Sequence, residues 1–197
     1  GNLILVGCGK MGEALLSGFV ASKCINPRNI VVVEPSVERR VVLEGAYGVR
    51  TLGEAKGLHC KDNDVCLLAV RPQVLPDVLE QMAPNYDGAL LISIAAGITT
   101  GRLESMVKAG TPVVRVMPNL PATVGQGMSL ISAGSHARQT HLEVATMLFD
   151  AVGLTAVISE DKQNAGTALS GSGPAYFALL VDRMAQAGVA AGLQKEF

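Results

Sequence analysis

The sequence has almost no net charge, no closely paired cysteines and no uninterrupted apolar run long enough to leave water. Sixteen lysines and arginines stand against 17 aspartates and glutamates, a formal charge of -1. That leaves no basic excess to neutralise a phosphate backbone, which argues against a nucleic-acid partner and for a small-molecule one. The four cysteines, Cys8, Cys24, Cys60 and Cys66, form no C-x-x-C pair. Neither a zinc site nor a disulfide framework is expected, and a reducing compartment is. The most apolar long stretch, PAYFALLVDRMAQAGVAAGL, carries Asp182 and Arg183 in its middle, against a membrane span. The chain opens on an apolar run with no basic region before it, so a cytoplasmic protein is expected.

What is present is apolar and patterned. Across 197 residues, 49% are hydrophobic and 17% charged, which excludes disorder and suits one large or two unequal domains. Short runs rich in Val, Ile and Leu predict strands at Leu3 to Val6, Ile30 to Val33, Val65 to Val70, Ala89 to Ile94 and Val113 to Val116. Apolar on both faces, they suit a buried parallel sheet. Met11, Ala14, Leu15, Gly18 and Phe19 share one helical face. Further helices are predicted at Val37 to Ala46, Val74 to Met82 and Leu103 to Val107. This alternation defines an α/β class with a doubly wound parallel sheet. Weaker signals follow: strands at Ser129 to Ser132 and Thr155 to Ile158, and a helix at Leu142 to Val152. From Glu160 the strand signal stops, and Pro174 opens a helix to about Gly192. Its apolar, small-sided surface predicts burial against partner helices of another subunit or another part of the protein.

Gly7, Gly9 and Gly12 form G-x-G-x-x-G after a predicted strand and at the start of a predicted helix. The first glycine permits the turn, the second lets backbone approach a pyrophosphate, and the third lets helix pack on strand. Helix N-terminal amides then face the anion. Glu34, at the end of the second strand, is placed to bind an adenosine ribose, which favours NAD. In the EPSVERR that it opens, Ser36, Arg39 and Arg40 are equally suited to a 2′-phosphate. Preference between NAD and NADP stays open on these residues. The SGSG run at 170–173 precedes a helix, with amides suited to a substrate carboxylate or with Ser172 as a simple cap.

Further motifs stand at the ends of successive strands: LLAVRPQ at 67–73, SIAAGIT at 93–99, RVMPNLPA at 115–122 and LSGSGPAY at 169–176. With GCGKMGEALLSG, in this order, they closely resemble pyrroline-5-carboxylate reductase over essentially the whole chain. The resemblance implies a Rossmann domain over 1–159 and the start of an all-helical substrate and dimerisation domain over 160–197. It implies a homodimer or higher homo-oligomer that reduces 1-pyrroline-5-carboxylate to L-proline with NADPH or NADH. Hydride would pass from the dihydronicotinamide to the carbon of the ring C=N bond, with no metal or covalent nucleophile.

By position, the resemblance assigns Gly7, Cys8, Gly9, Lys10, Met11 and Gly12 to the pyrophosphate and Ser36 to the ribose phosphate. Ala69, Val70, Arg71 and Pro72 would line the cofactor cleft, Ala95, Ala96 and Gly97 would lie beneath the nicotinamide half, and Asn119 near the ring. Ser172 and Gly173 would meet the substrate, bordered by Glu160. The chain departs from the family's usual residues at Lys10, Lys56 and Leu120. The family's SPGGTT-like segment, whose threonine meets the substrate, has no counterpart before Phe197, so little activity is expected of the 197-residue form.

Other Rossmann oxidoreductases of the β-hydroxyacid dehydrogenase or imine reductase type use a lysine on a domain-linking helix, and here none follows LSGSGPAY until Lys195. A non-catalytic nucleotide-binding module is the remaining alternative. His136 and His141, five apart in a polar stretch, read as solvated surface rather than a ligand pair. Cys8 reads as a small residue in the turn, and Glu160 and Asp161 as caps of the next helix.

Overall fold

A computed structural model describes residues 1–194; Lys195 and Phe197, with the end of the expected second domain, lie outside them. The chain begins as an alternation of strands and helices: β1 (Leu3–Val6), α1 (Lys10–Ala21), β2 (Ile30–Val33), α2 (Val37–Tyr47) and β3 (Arg50–Leu52). There follow β4 (Cys60–Lys61), β5 (Val65–Leu68), α3 (Leu75–Met82), β6 (Tyr86–Asp87), β7 (Leu90–Ser93), α4 (Thr100–Glu104) and β8 (Val113–Met117). The rest is β9 (Gly127–Ala133), α5 (Gln139–Asp150), β10 (Gly153–Val157), α6 (Gln163–Gly166) and α7 (Gly173–Ala190).

Eight strands make one sheet in the order β10-β9-β8-β7-β5-β1-β2-β3, and β4 and β6 pair separately. β1 lies between β2 and β5, so the chain turns back on itself there, and the crevice above β1 and β5 is the sheet's switch point. Alternate residues of β1 serve two cores. Leu3 and Leu5 pack with Leu15, Leu16 and Phe19 of α1 and Leu148 and Phe149 of α5 on one face. Ile4 and Val6 pack with Leu75, Val78 and Leu79 of α3 and Leu103 of α4 on the other. Both faces are dry, as the unbroken apolar strands require.

The sheet departs from the wholly parallel expectation at one edge. β9 returns antiparallel to β8, and β10 then runs parallel to β9. The reason is local: after β8 a 3₁₀ turn, Leu120–Val124, ends at Gly125 with φ 70°, which reverses the chain without a crossover helix. Boundaries shift as well. β5 stops at Leu68 and β7 at Ser93, so Val70 and Ile94 belong to the loops at the strand ends, and α4 begins at Thr100, where Thr99 Oγ1 accepts the Arg102 amide at 3.2 Å. β3, β4 and β6 were not expected, being two or three residues long and partly polar.

The last helix finds no cover within the described residues, as expected of a helix whose neighbours come from another subunit or another part of the protein. No residue of α7 is buried, and Tyr176, Phe177, Leu180 and Met184 are more than half exposed. Among the described residues nothing covers them. Among the described residues no helix is long and apolar enough to cross a membrane.

The β9–β10 edge is held by two facing glycines. A Cβ at Gly153, whose φ is 149°, would stand 2.1 Å from the Gly127 carbonyl oxygen. Gly153→Ala is therefore expected to lower unfolding free energy by about 2–3 kcal/mol in urea titration. An unchanged midpoint would show that the edge tolerates a slipped register.

Candidate functional site

The opening turn is built by close backbone approach. Gly7 adopts φ 87°, and a Cβ there would meet Val70 Cγ1 at 2.7 Å and the Ala69 carbonyl oxygen at 2.9 Å. A Cβ at Gly12 would lie 2.5 Å from the Gly7 carbonyl oxygen. Gly9 is the opposite case: a side-chain carbon there meets nothing within 4 Å. Two glycines are thus required by protein packing, and the third faces open space at the N-terminus of α1. That is the geometry of a pyrophosphate cradle, in which helix amides point at an anion and backbone must approach it without a side chain between. The residues present therefore fit a dinucleotide.

The crease beside the cradle is charged and fully tied. Glu34 takes one amide from each turn, Cys8 N to Oε2 at 3.3 Å and Ser36 N to Oε1 at 3.1 Å. Ser36 caps α2, its Oγ accepting the Arg39 amide at 3.2 Å and donating to Glu38 at 2.8 Å. Arg39 Nη2 donates to the Cys8 carbonyl at 2.6 Å and to Glu13 at 2.8 Å. Arg40 Nη1 donates to the carbonyls of Glu34 and Pro35, both at 2.9 Å. The Ser36 hydroxyl and one nitrogen of each arginine are thus engaged with the protein, and a carboxylate stands between the two turns. Lys10 and Met11 open α1 beside the cradle, Lys10 exposed and Met11 half-buried.

Ala69, Val70, Arg71 and Pro72 follow β5 directly, and Ala95, Ala96 and Gly97 follow β7, so both segments leave the same end of neighbouring parallel strands. Gly97 turns the second segment with φ 76°. Asn119 follows β8, its carboxamide accepting the Met128 amide at 2.8 Å and donating to the Ser170 carbonyl at 3.0 Å. The cofactor candidates thus gather along one end of the sheet.

Glu160 departs from its expected capping role. Its Oε1 accepts Arg115 Nη1 at 2.7 Å and the Thr100 amide at 3.4 Å, so it caps α4 across the fold rather than the helix it precedes. Arg115 is only 3% exposed, which makes this a buried ion pair whose rupture would strand a guanidinium. Gln163, wholly buried, donates to the Leu130 carbonyl and to Ser132 Oγ beside it. Sequence reading missed both Arg115 and Gln163; the one signal for Arg115 was a charge inside an apolar strand.

The SGSG run does not stand before a helix as a capped turn but is itself helical. Residues Thr167–Gly171 form a π-helical turn that leads into α7, and the Ser172 amide is already spent on the Thr167 carbonyl at 2.8 Å. Ser172 makes no side-chain cap bond. Its hydroxyl and the Gly173 backbone are what this segment can offer a ligand. His141, read as solvated, has its Nδ1 accepting the Arg138 amide at 2.9 Å at the start of α5.

Fold and turn together define a dinucleotide-binding protein of the Rossmann class. Comparison with known proteins narrows that class. Residues 2–97 match the family model described as NADP oxidoreductase coenzyme F420-dependent, and residues 160–197 match the one described as pyrroline-5-carboxylate reductase dimerisation. The pyrroline-5-carboxylate reductase of Synechocystis sp. is 40% identical over 98% of this chain and 72% of its own length. The solved pyrroline-5-carboxylate reductase of Coxiella burnetii superposes with a TM-score of 0.89 at 31% identity, over 99% of this chain and 73% of that one. The NADP-bound pyrroline carboxylate reductase of Plasmodium falciparum gives 0.86 at 31%, over 99% and 71%. The chain belongs to the pyrroline-5-carboxylate reductase family.

Cys8 lies inside the cradle, yet burial pushes its thiol up to about 12, more than the neighbouring Arg39 pulls it down. With no thiolate at pH 8, Cys8 is expected to resist iodoacetamide while the less buried Cys24 is alkylated. Peptide mass mapping reads the outcome; early labelling of Cys8 would show that the turn opens.

Proposed function

We propose that the chain catalyses reduction of 1-pyrroline-5-carboxylate to L-proline, with NADPH or NADH as reductant, as a homo-oligomer in the cytoplasm. The observation that carries this reading is the open cradle at Gly9, framed by two glycines that admit no side chain, at the switch point of a chain from this family. The four free cysteines suit a reducing compartment.

In this reading the turn from Gly7 to Gly12 holds the pyrophosphate, with Ser36 and Glu34 at the adenosine ribose. The segments Ala69 to Pro72 and Ala95 to Gly97 form the walls that orient the nicotinamide half. A dihydronicotinamide held there would supply a hydride to the carbon of the ring C=N bond, whose nitrogen carries a proton taken from water, giving CH–NH and the oxidised nicotinamide. The protein's part is alignment and exclusion of water, so that donor and acceptor meet in one orientation. Ser172 and the Gly173 backbone receive the substrate carboxylate. Glu160 borders that end of the cleft, its carboxylate directed by Arg115 and the Thr100 amide.

The second domain is proposed to start at residue 160 and to work by association. An apolar helix with no covered face is stable in water only against a partner, and the partner proposed is a second copy. The family match over 160–197, described as dimerisation, supports this. Leu180→Asp with Met184→Asp is expected to convert the native oligomer into monomers, read by light scattering on a sizing column; unchanged mass would remove α7 from the interface.

Dihydronicotinamide oxidation with pyrroline-5-carboxylate by a full-length version tests the activity, and no turnover with either cofactor would overturn it. Binding tests the crease. Glu34→Gln removes a charge that repels a 2′-phosphate, so the Kd for NADPH is expected to fall about tenfold while that for NADH changes little. Equal shifts for both cofactors would place Glu34 away from the ribose.

A further inference from the structure

One carbonyl in the LSGSGPAY stretch has no donor in its own helix. In an α-helix the Ser170 carbonyl accepts from the amide four residues on, but residue 174 is proline, which has no N–H. The hydrogen-bond ladder passes around the gap with an i to i+5 bond from the Ser172 amide to the Thr167 carbonyl, the π turn already described. The Ser170 carbonyl itself is met from outside the helix, by Asn119 Nδ2 at 3.0 Å. The other end of the same carboxamide accepts the Met128 amide at 2.8 Å. A backbone amide only donates and a carbonyl only accepts, so these two partners fix which way the Asn119 side chain faces. Asn119 is 8% exposed, and losing it would take away the partner of a partly buried carbonyl and of a partly buried amide. Gly171 adds a second contact: a Cβ there would stand 3.4 Å from Met117 Cε, so the turn lies directly on the end of β8.

The geometry points to Asn119 as a positioning residue for the imine reduction rather than the cofactor contact that the family resemblance assigns, because both ends of its carboxamide are bonded to this chain's backbone. Its carboxamide latches the π turn to the ends of β8 and β9, and so sets where Ser172 and Gly173 stand relative to the cofactor cleft. Pro174 is the other half of the device: by withholding an N–H, it leaves the Ser170 carbonyl for Asn119. The turnover readout rests on the activity proposed above, whereas the latch has readouts that do not.

The test compares Asn119→Ala, Asn119→Asp, Pro174→Ala and the double variant Asn119→Ala with Pro174→Ala, all in the native enzyme. NADPH and NADH Kd come from dihydronicotinamide fluorescence, kcat and KM from imine turnover, and local opening from amide hydrogen exchange. Asn119→Ala is expected to lower kcat/KM for the imine about tenfold while cofactor Kd stays within about twofold. Exchange should rise over 167–173 and not over 7–12. With Pro174→Ala, a new amide at 174 can serve the Ser170 carbonyl, so adding Asn119→Ala should then cost only about twofold. Asn119→Asp keeps the acceptor for Met128 and loses the donor, so it should reproduce most of the loss, and it carries the test if the alanine variant does not fold. A parallel loss of cofactor affinity would make Asn119 a cofactor contact instead. Equal losses with and without Pro174 would sink the latch. If the parent enzyme reduces no imine, the proposed activity fails, and exchange with its dependence on Pro174 still decides the latch.

Discussion

The fold depends on how closely the backbone of α1 approaches the carboxyl ends of β1 and β5. The Gly7 carbonyl occupies the place of a side chain at Gly12, and Ala69 and Val70 occupy that of one at Gly7. With no side chain between them, α1 enters low over the switch point and its first amides face the crevice. At the helix's other end Phe19 meets Phe149 of α5 edge to face, ring centroids 6.5 Å apart. A methyl group in the turn would tilt the helix, and so would disturb both the cradle and a core contact at the helix's other end.

The second turn inherits its geometry from the first. Arg39 reaches the Cys8 carbonyl, and Glu34 receives the Cys8 amide, so the crease between the turns is tied by both donors and acceptors of one residue. The Arg39–Glu13 bridge is partly exposed, and by itself such a pair contributes little. Its value here is directional. The guanidinium is aimed at main chain rather than at the crevice, and the carboxylate of Glu34 remains the group between the two turns. Further along the sheet the buried Arg115 and the partly exposed Glu160 do the same work, joining β8 to the start of α4 and to the chain leading into α6.

Much of this was legible in the sequence, for physical reasons that also explain the failures. Central strands such as Ile30 to Val33 were readable because burial on both faces demands unbroken apolar residues, and Gly7 to Gly12 because a close approach leaves no choice of side chain. β3 and β4 were not readable, since a short edge strand needs only backbone bonds and carries no pattern. The reversed direction of β9 was equally hidden: a 3₁₀ turn ending at Gly125 decides it, while the apolar pattern of β9 suits either direction. Long-range polar partners were the largest gap. Nothing local in the sequence ties Arg115 to Glu160 or Asn119 to Ser170, because those bonds depend on where the sheet and the final helices meet.

The run from Gln163 to Ala190 shows why sequence signals there point two ways. Glycine, serine and proline at 170–174 mark the start of a new helix, yet the backbone is already helical before them and continues by widening one turn. A π turn shifts the hydrogen-bond register, and proline then leaves a carbonyl that only another part of the fold can satisfy. The same residues that weaken the helix on its own therefore make its position depend on the sheet. Beyond the turn the dependence changes: among the described residues α7 has no packed face, so nothing in the dinucleotide-binding half fixes it there. One end of this helical segment is thus set by the sheet and the other is not, and Ser172 and Gly173 lie at the joint between the two.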